Sequence, residues 1–171
     1  MTQYVKVGGS WRTIAAPNPK VSSVWRTTQQ AYVKVSGTWR TFFQALGAVL
    51  PTNIIDYASE ISPTDANVTL AVNSNGTWST NGQAASSGTW QAGGTAADYQ
   101  VRLSKTAGTD TSGSALATWL SCSLNNSWTL SETTNGNATR SFTGTLEIRM
   151  AASPNTVLDT ATVDLDATVD V

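Results

Sequence analysis

A short internal repeat restricts this chain more than any other feature. Tyr4-Val5-Lys6-Val7-Gly8-Gly9-Ser10-Trp11-Arg12-Thr13 returns 28 residues later as Tyr32-Val33-Lys34-Val35-Ser36-Gly37-Thr38-Trp39-Arg40-Thr41. Midway lies a degenerate copy, Lys20-Val21-Ser22-Ser23-Val24-Trp25-Arg26-Thr27, so the Trp-Arg-Thr triplets keep a period of 14. Each copy reads as a β-hairpin, because an alternating strand meets a Gly-Gly, Ser-Ser or Ser-Gly turn and continues into a second strand carrying Trp. A two-residue loop sets Val7 opposite Ser10, Lys6 opposite Trp11, Val5 opposite Arg12 and Tyr4 opposite Thr13. That register lays a Lys stem on a Trp ring in every copy, a cation–π pair worth about 0.5–1 kcal/mol when exposed. A three-residue loop would shift the pairing.

One hairpin of this size is marginal in water, so three in tandem are expected to bury a face against each other or against a partner. Tyr4, Lys6, Trp11, Arg12, Lys20, Trp25, Arg26, Tyr32, Lys34, Trp39 and Arg40 therefore form the candidate assembly surface. A nucleic-acid reading is disfavoured, because the bases are spread one per strand instead of forming a dense patch and no nucleic-acid motif frames them. The apolar run Phe42-Phe43-Gln44-Ala45-Leu46-Gly47-Ala48-Val49-Leu50-Pro51 is too short and Gly-interrupted for a membrane helix, and reads as a linker that packs.

Only 12% of residues are charged, and their placement is uneven. Residues 1–55 carry six bases and no acid, whereas residues 56–171 carry four bases and eleven acids, a net −7. The expected division is 1–43 for the basic hairpins, 44–55 for the linker and 56–171 for an acidic domain. With no His and a single Cys, Cys122, the chain lacks the usual ligands for a nitrogen–sulfur metal site and the groups for His-based or Cys–His catalysis. No cofactor, metal or catalytic residue is assigned, and the protein is read as a non-enzyme. No run is long and apolar enough for a membrane span, and Met1-Thr2-Gln3-Tyr4 lacks the regions of a signal peptide.

From Ile54 onward, short alternating runs broken by turn signals predict an immunoglobulin-like antiparallel β-sandwich of seven or eight strands. Val68, Leu70 and Val72 form one stripe before an Asn75-Gly76 turn, and Tyr99, Val101 and Leu103 form a second. A strand over residues 119–124 and an Asn125-Asn126 turn are expected before Ser127-Trp128-Thr129-Leu130, with Trp119 or Trp128 anchoring the core. Phe142, Leu146, Ile148 and Met150 share one parity. Ala161, Val163, Leu165, Ala167 and Val169 alternate with Thr162, Asp164, Asp166, Thr168 and Asp170. The fold class is thus all-β, tandem hairpin repeats followed by a sandwich.

Several residues invite a chemical reading and have a plainer one. Asp159, Asp164, Asp166 and Asp170 suggest calcium, yet alternate residues of one strand project in parallel, and no EF-hand loop is present. They read as a solvated face that discourages edge pairing. Four sequons, at Asn67, Asn75, Asn125 and Asn137, are about as many as a Ser/Thr-rich chain produces by chance. Cys122 reads as a small core residue. Trp78 and the Gly88-Thr89-Trp90 segment are weak candidates for an exposed aromatic platform that binds sugar.

Taken together, the two parts resemble a known group of proteins. The Tyr-Val-Lys-Val-Ser-Gly-Thr-Trp-Arg repeat resembles short modules near the ends of tailed-phage and prophage structural proteins. The later part, with Trp119-Leu120-Ser121, Ser127-Trp128-Thr129-Leu130, Leu146-Glu147-Ile148-Arg149 and the strand from Val157 to Val163, is similar to a domain common in phage tail proteins. The resemblance implies a virion component without saying which one; the preferred expectation is a protein made in the host cytoplasm and placed in the tail, at its distal tip or at the fibre attachment, rather than in the capsid. Its partners would be other virion proteins and further copies of itself, as a trimer or hexamer. A capsid decoration protein and a module binding host-surface glycan are the alternative expectations.

Overall fold

The computed structural model describes residues 3–7, 10–14, 20–21, 24–25, 30–35, 37–44, 47–61, 65–134, 136–152 and 156–170. They are all-β, with a single short 3-10 turn at Ala96–Asp98. The chain divides into two compact units, Met1–Leu46 and Gly47–Val171.

In the first unit β1 (Gln3–Val7) pairs with β2 (Ser10–Ile14), β3 (Lys20–Val21) with β4 (Val24–Trp25), and β5 (Gln30–Val35) with β6 (Thr38–Gln44), all antiparallel. In β1–β2, Val7 stands opposite Ser10, Lys6 opposite Trp11, Val5 opposite Arg12 and Tyr4 opposite Thr13, which is the two-residue-loop register. In β5–β6 the ladder shifts between Ala31 and Tyr32, so that Ala31 faces Phe43 and Tyr32 faces Thr41. Phe42 is the extra residue of that bulge.

The described residues of the second unit form two five-stranded sheets. Its strands are β7 (Asn53–Ile61), β8 (Ala66–Val72), β9 (Thr77–Thr80), β10 (Ser87–Thr89), β11 (Tyr99–Gly108), β12 (Ser112–Gly113), β13 (Leu120–Ser121), β14 (Asn126–Glu132), β15 (Ala138–Met150) and β16 (Val157–Asp170). One sheet runs β10-β9-β8-β14-β12 and the other β13-β11-β15-β16-β7. Their inner faces meet where β8 and β14 approach β7, β15 and β16. Strict alternation builds this core: Val68, Leu70 and Val72, Tyr99, Val101 and Leu103, and Val163, Leu165, Ala167 and Val169 are all fully buried. Each such Val or Leu side chain contributes about 1.5–3 kcal/mol by leaving water.

Three expectations need correction. The second sheet is mixed and not antiparallel throughout, because β7 pairs in parallel with β16 over Thr162↔Asn53 to Asp170↔Ile61. The strand expected over 119–124 is only the two residues of β13, since Asn126 reaches back and donates its amide to the Ser121 and Leu124 carbonyls, closing a turn there. Asn126 itself is buried as the first residue of β14. Finally, residues 47–55, read as linker, belong to the second unit. Val49 donates to the Trp90 carbonyl, Ala48 bridges Gln91, and Leu50 donates to the Asp159 carboxylate at 2.7 Å.

Glycine is required at the turn after β8. Gly76 has φ +87 and donates to the Asn73 carbonyl, and a Cβ there would fall 2.7 Å from the Gln91 side-chain oxygen. Among the described residues no helix is long and apolar enough to cross a membrane.

Candidate functional site

The first surface to locate is the basic, aromatic one. Strand pairing places Lys6 opposite Trp11, Lys20 opposite Trp25 and Lys34 opposite Trp39. The same rung thus recurs in all three hairpins at the sequence period of 14 residues. Arg12 stands opposite Val5 and Arg40 opposite Val33, while Tyr4 and Tyr32 face Thr13 and Thr41. Arg26 lies outside the described residues.

Trp78 and Trp90 do not form an exposed platform; both are core residues. Trp78 is 6% exposed and Trp90 fully buried. Trp90 meets Tyr99 edge-on, with ring centroids 5.2 Å apart and planes at 77°, and its Nε1 donates to the Asn73 carbonyl at 3.2 Å. Gly88 stands directly opposite Trp78 in the ladder, and a Cβ at Gly88 would fall 2.7 Å from Trp78 Nε1. With neither ring face open to solvent, no sugar can stack there, and the glycan reading of these two residues is withdrawn.

Trp128 is the core anchor and Trp119 is not. Trp128 is fully buried, whereas Trp119 is half-buried on the outside of the second sheet. The Arg102 guanidinium carbon lies 4.5 Å and that of Arg149 4.0 Å from the Trp119 ring centroid. The β11–β15 register brings these groups together, setting Arg102 opposite Glu147 and Gln100 opposite Arg149. Arg102 then ion-pairs with Glu147 at 2.6 Å, and Arg149 Nε donates to Gln100 Oε1 at 2.9 Å. Sequence reasoning missed this cluster, because Arg102 and Arg149 are far apart in the chain and only the register makes them neighbours. The sole available signal is the shared polar–apolar–Arg spacing of Gln100-Val101-Arg102 and Glu147-Ile148-Arg149.

The acidic residues of β16 separate into two kinds. Asp159 is half-buried and holds the Leu50 amide. Asp166 and Asp170 are exposed and Asp164 is half-buried, and none of the three forms an ion pair among the described residues. Beside them on β7, Ile55 is 57%, Tyr57 46% and Ile61 82% exposed.

Two buried carboxylates serve the architecture instead. Asp56 accepts hydrogen bonds from the amides of Gly82 at 2.5 Å, Ala84 at 2.8 Å and Tyr57 at 2.8 Å, pinning the 82–84 loop. Glu132 accepts from the Thr134 hydroxyl at 2.6 Å, from the Thr133 amide at 2.8 Å and from Arg140 at 3.1 Å. The Thr134 bond first, then the Thr133 amide and the Arg140 charge, hold its carboxyl below the ordinary range against the opposing effect of burial. Burial pushes the Cys122 thiol up to about 12, leaving it an un-ionised core group. Among the described residues no group of three or more His, Cys, Asp or Glu is placed to hold a metal ion. No family model, curated protein or solved structure matches the chain.

Proposed function

We propose that this protein is a non-enzymatic structural subunit of a tailed-phage virion, placed in the tail, at its distal tip or at the fibre attachment, and that it acts by subunit assembly. In this reading the first unit is a tandem hairpin-repeat module and the second an immunoglobulin-like sandwich. The observation that carries it is the recurrence of one Lys–Trp rung in three successive hairpins. A repeated rung of base and aromatic presents the same contact several times over, as symmetric assembly requires, and trimers or hexamers are the expected products. The resemblance of both parts to phage tail modules agrees with this reading.

Cryo-EM of purified particles, with the chain marked by a fused tag, tests the proposal. Density for the chain in the tail, following three- or six-fold symmetry, is the expected result. Tag density over the head lattice would reassign it to capsid decoration, and a particle without the chain would end the virion reading.

A further inference from the structure

The outer face of the β7–β16 pair has an unusual make-up. Parallel register sets Asp164 beside Ile55, Asp166 beside Tyr57 and Asp170 beside Ile61. Each of these rungs therefore joins an acid with no ion pair among the described residues to an apolar or aromatic side chain that is 46–82% exposed. The hairpins carry the complementary rung, a base opposite an aromatic, at Lys6–Trp11, Lys20–Trp25 and Lys34–Trp39. Directly opposite residues sit about 4.5–5.5 Å apart in an antiparallel ladder and neighbouring strands about 4.8 Å apart in either kind, so the two types of rung match in width. They are opposite in charge, and each sets its charged residue beside an apolar or aromatic one. The first 55 residues contain six bases and no acid, so nothing within that segment neutralises them.

The free edge of β7 offers a second route for association, by addition of a strand, but its centre is already covered. Gln83 donates its amide to the Tyr57 carbonyl at 2.7 Å and its side chain to the Ser59 carbonyl at 3.1 Å. The Tyr57 amide is taken by Asp56. An incoming chain meets the face and not the backbone of this edge.

We infer that the outer face of β7–β16 is the seat for the hairpin unit of a second copy of this chain. The inference rests on the assembly reading above and names its partner. Hairpin of one copy on sandwich of the next is a heterologous contact, so it propagates or closes into a ring instead of stopping at a two-fold dimer. Charge complementarity of this kind sets orientation and encounter rate, while Ile55, Tyr57 and Ile61 supply the desolvated area.

Sedimentation velocity on the full chain tests it. Wild-type protein is expected to self-associate at low salt and to weaken at least about tenfold at about 0.5 M salt, where exposed charges are screened. D164K/D166K/D170K and K6E/K20E/K34E should each be monomeric alone, and an equimolar mixture of the two should restore association, because the hairpins of each variant then meet a face of opposite charge on the other. I55S/Y57S, which leaves every charge in place, should also lose association by about tenfold, with an unchanged circular dichroism spectrum. The inference is overturned if wild-type protein stays monomeric at about 100 μM, if the Asp variant associates like wild type, or if the mixture stays dissociated. Wild-type association that ignores all three variants removes this seat but leaves the assembly reading standing. Loss of the chain from particles removes the virion reading but leaves the measured contact.

Discussion

Replacing Trp90 by Ala is the sharpest test of the second unit. Trp90 follows β10 in one sheet, and its ring meets Tyr99, the first residue of β11 in the other, so it ties the two sheets together. It is fully buried, and its indole nitrogen supplies a hydrogen bond to the Asn73 carbonyl at 3.2 Å. Truncation removes the whole ring and leaves a cavity bordered by Tyr99, at a cost of about 3–5 kcal/mol. Against a total stability of about 5–15 kcal/mol, that is enough to unfold a large fraction of molecules near 37 °C. Trp90→Phe keeps most of the apolar contact and removes one of the two hydrogen bonds that the Asn73 carbonyl accepts, the Gly76 amide keeping the other, so its cost is about 0.5–1.5 kcal/mol. Urea unfolding followed by far-UV circular dichroism should show the midpoint fall in the order wild type, Phe, Ala, with little change in slope. A loss below about 1 kcal/mol for Trp90→Ala would refute the placement of this ring in the core.

The remaining predictions concern the buried polar groups. Asp56→Ala strands three amide donors and should cost about 3 kcal/mol, with limited proteolysis opening the chain around Gly82–Ala84 before the rest of the unit. Because the folded state holds the Glu132 carboxyl below its ordinary value of about 4.5, its contribution is complete above that pH and disappears as pH falls through the lowered value. Glu132→Gln should therefore be less stable than wild type at pH 7, with the gap closing below about pH 4.5 in urea titrations. Cys122, with its thiol pushed up to about 12, should react with iodoacetamide at pH 8 at least about 100-fold more slowly in the folded chain than in urea, as read by mass spectrometry.

The alternating strands were the legible part of the fold, for a physical reason. Where one sheet face is buried and the other wet, side-chain parity is fixed, so Val68-Thr69-Leu70-Ala71-Val72 and the long Ala161–Val169 stripe announce their orientation without reference to a partner. Partnership is another matter. Nothing in Asn53-Ile54-Ile55-Asp56-Tyr57 says that it pairs in parallel with a strand more than a hundred residues later. Parity also misled over residues 119–124, because the side chain of Asn126 competes with the ladder for the Ser121 carbonyl and ends the strand after two residues.

Tryptophan shows why the site was harder to read than the fold. A Trp is large enough to serve as core or as platform, and its composition and spacing do not distinguish the two. The distinguishing signal lies across the ladder. Gly88 opposite Trp78 leaves room for an indole to lie down over the strand, which buries it, whereas Trp119 has Arg102 and Arg149 against its ring and stays half-exposed. The same reasoning applies to the acids of β16. Alternation alone put Asp164, Asp166 and Asp170 on the outer face, where a solvated role was the simplest account. Only the parallel register adds Ile55, Tyr57 and Ile61 beside them, and that addition changes the physical expectation. Acids surrounded by Thr and Ser gain nothing from leaving water, but acids flanked by exposed apolar side chains lose part of their hydration to any partner that covers the apolar groups. Such a partner must bring positive charge with its apolar surface, and in this chain a base stands opposite an aromatic on one rung of each hairpin.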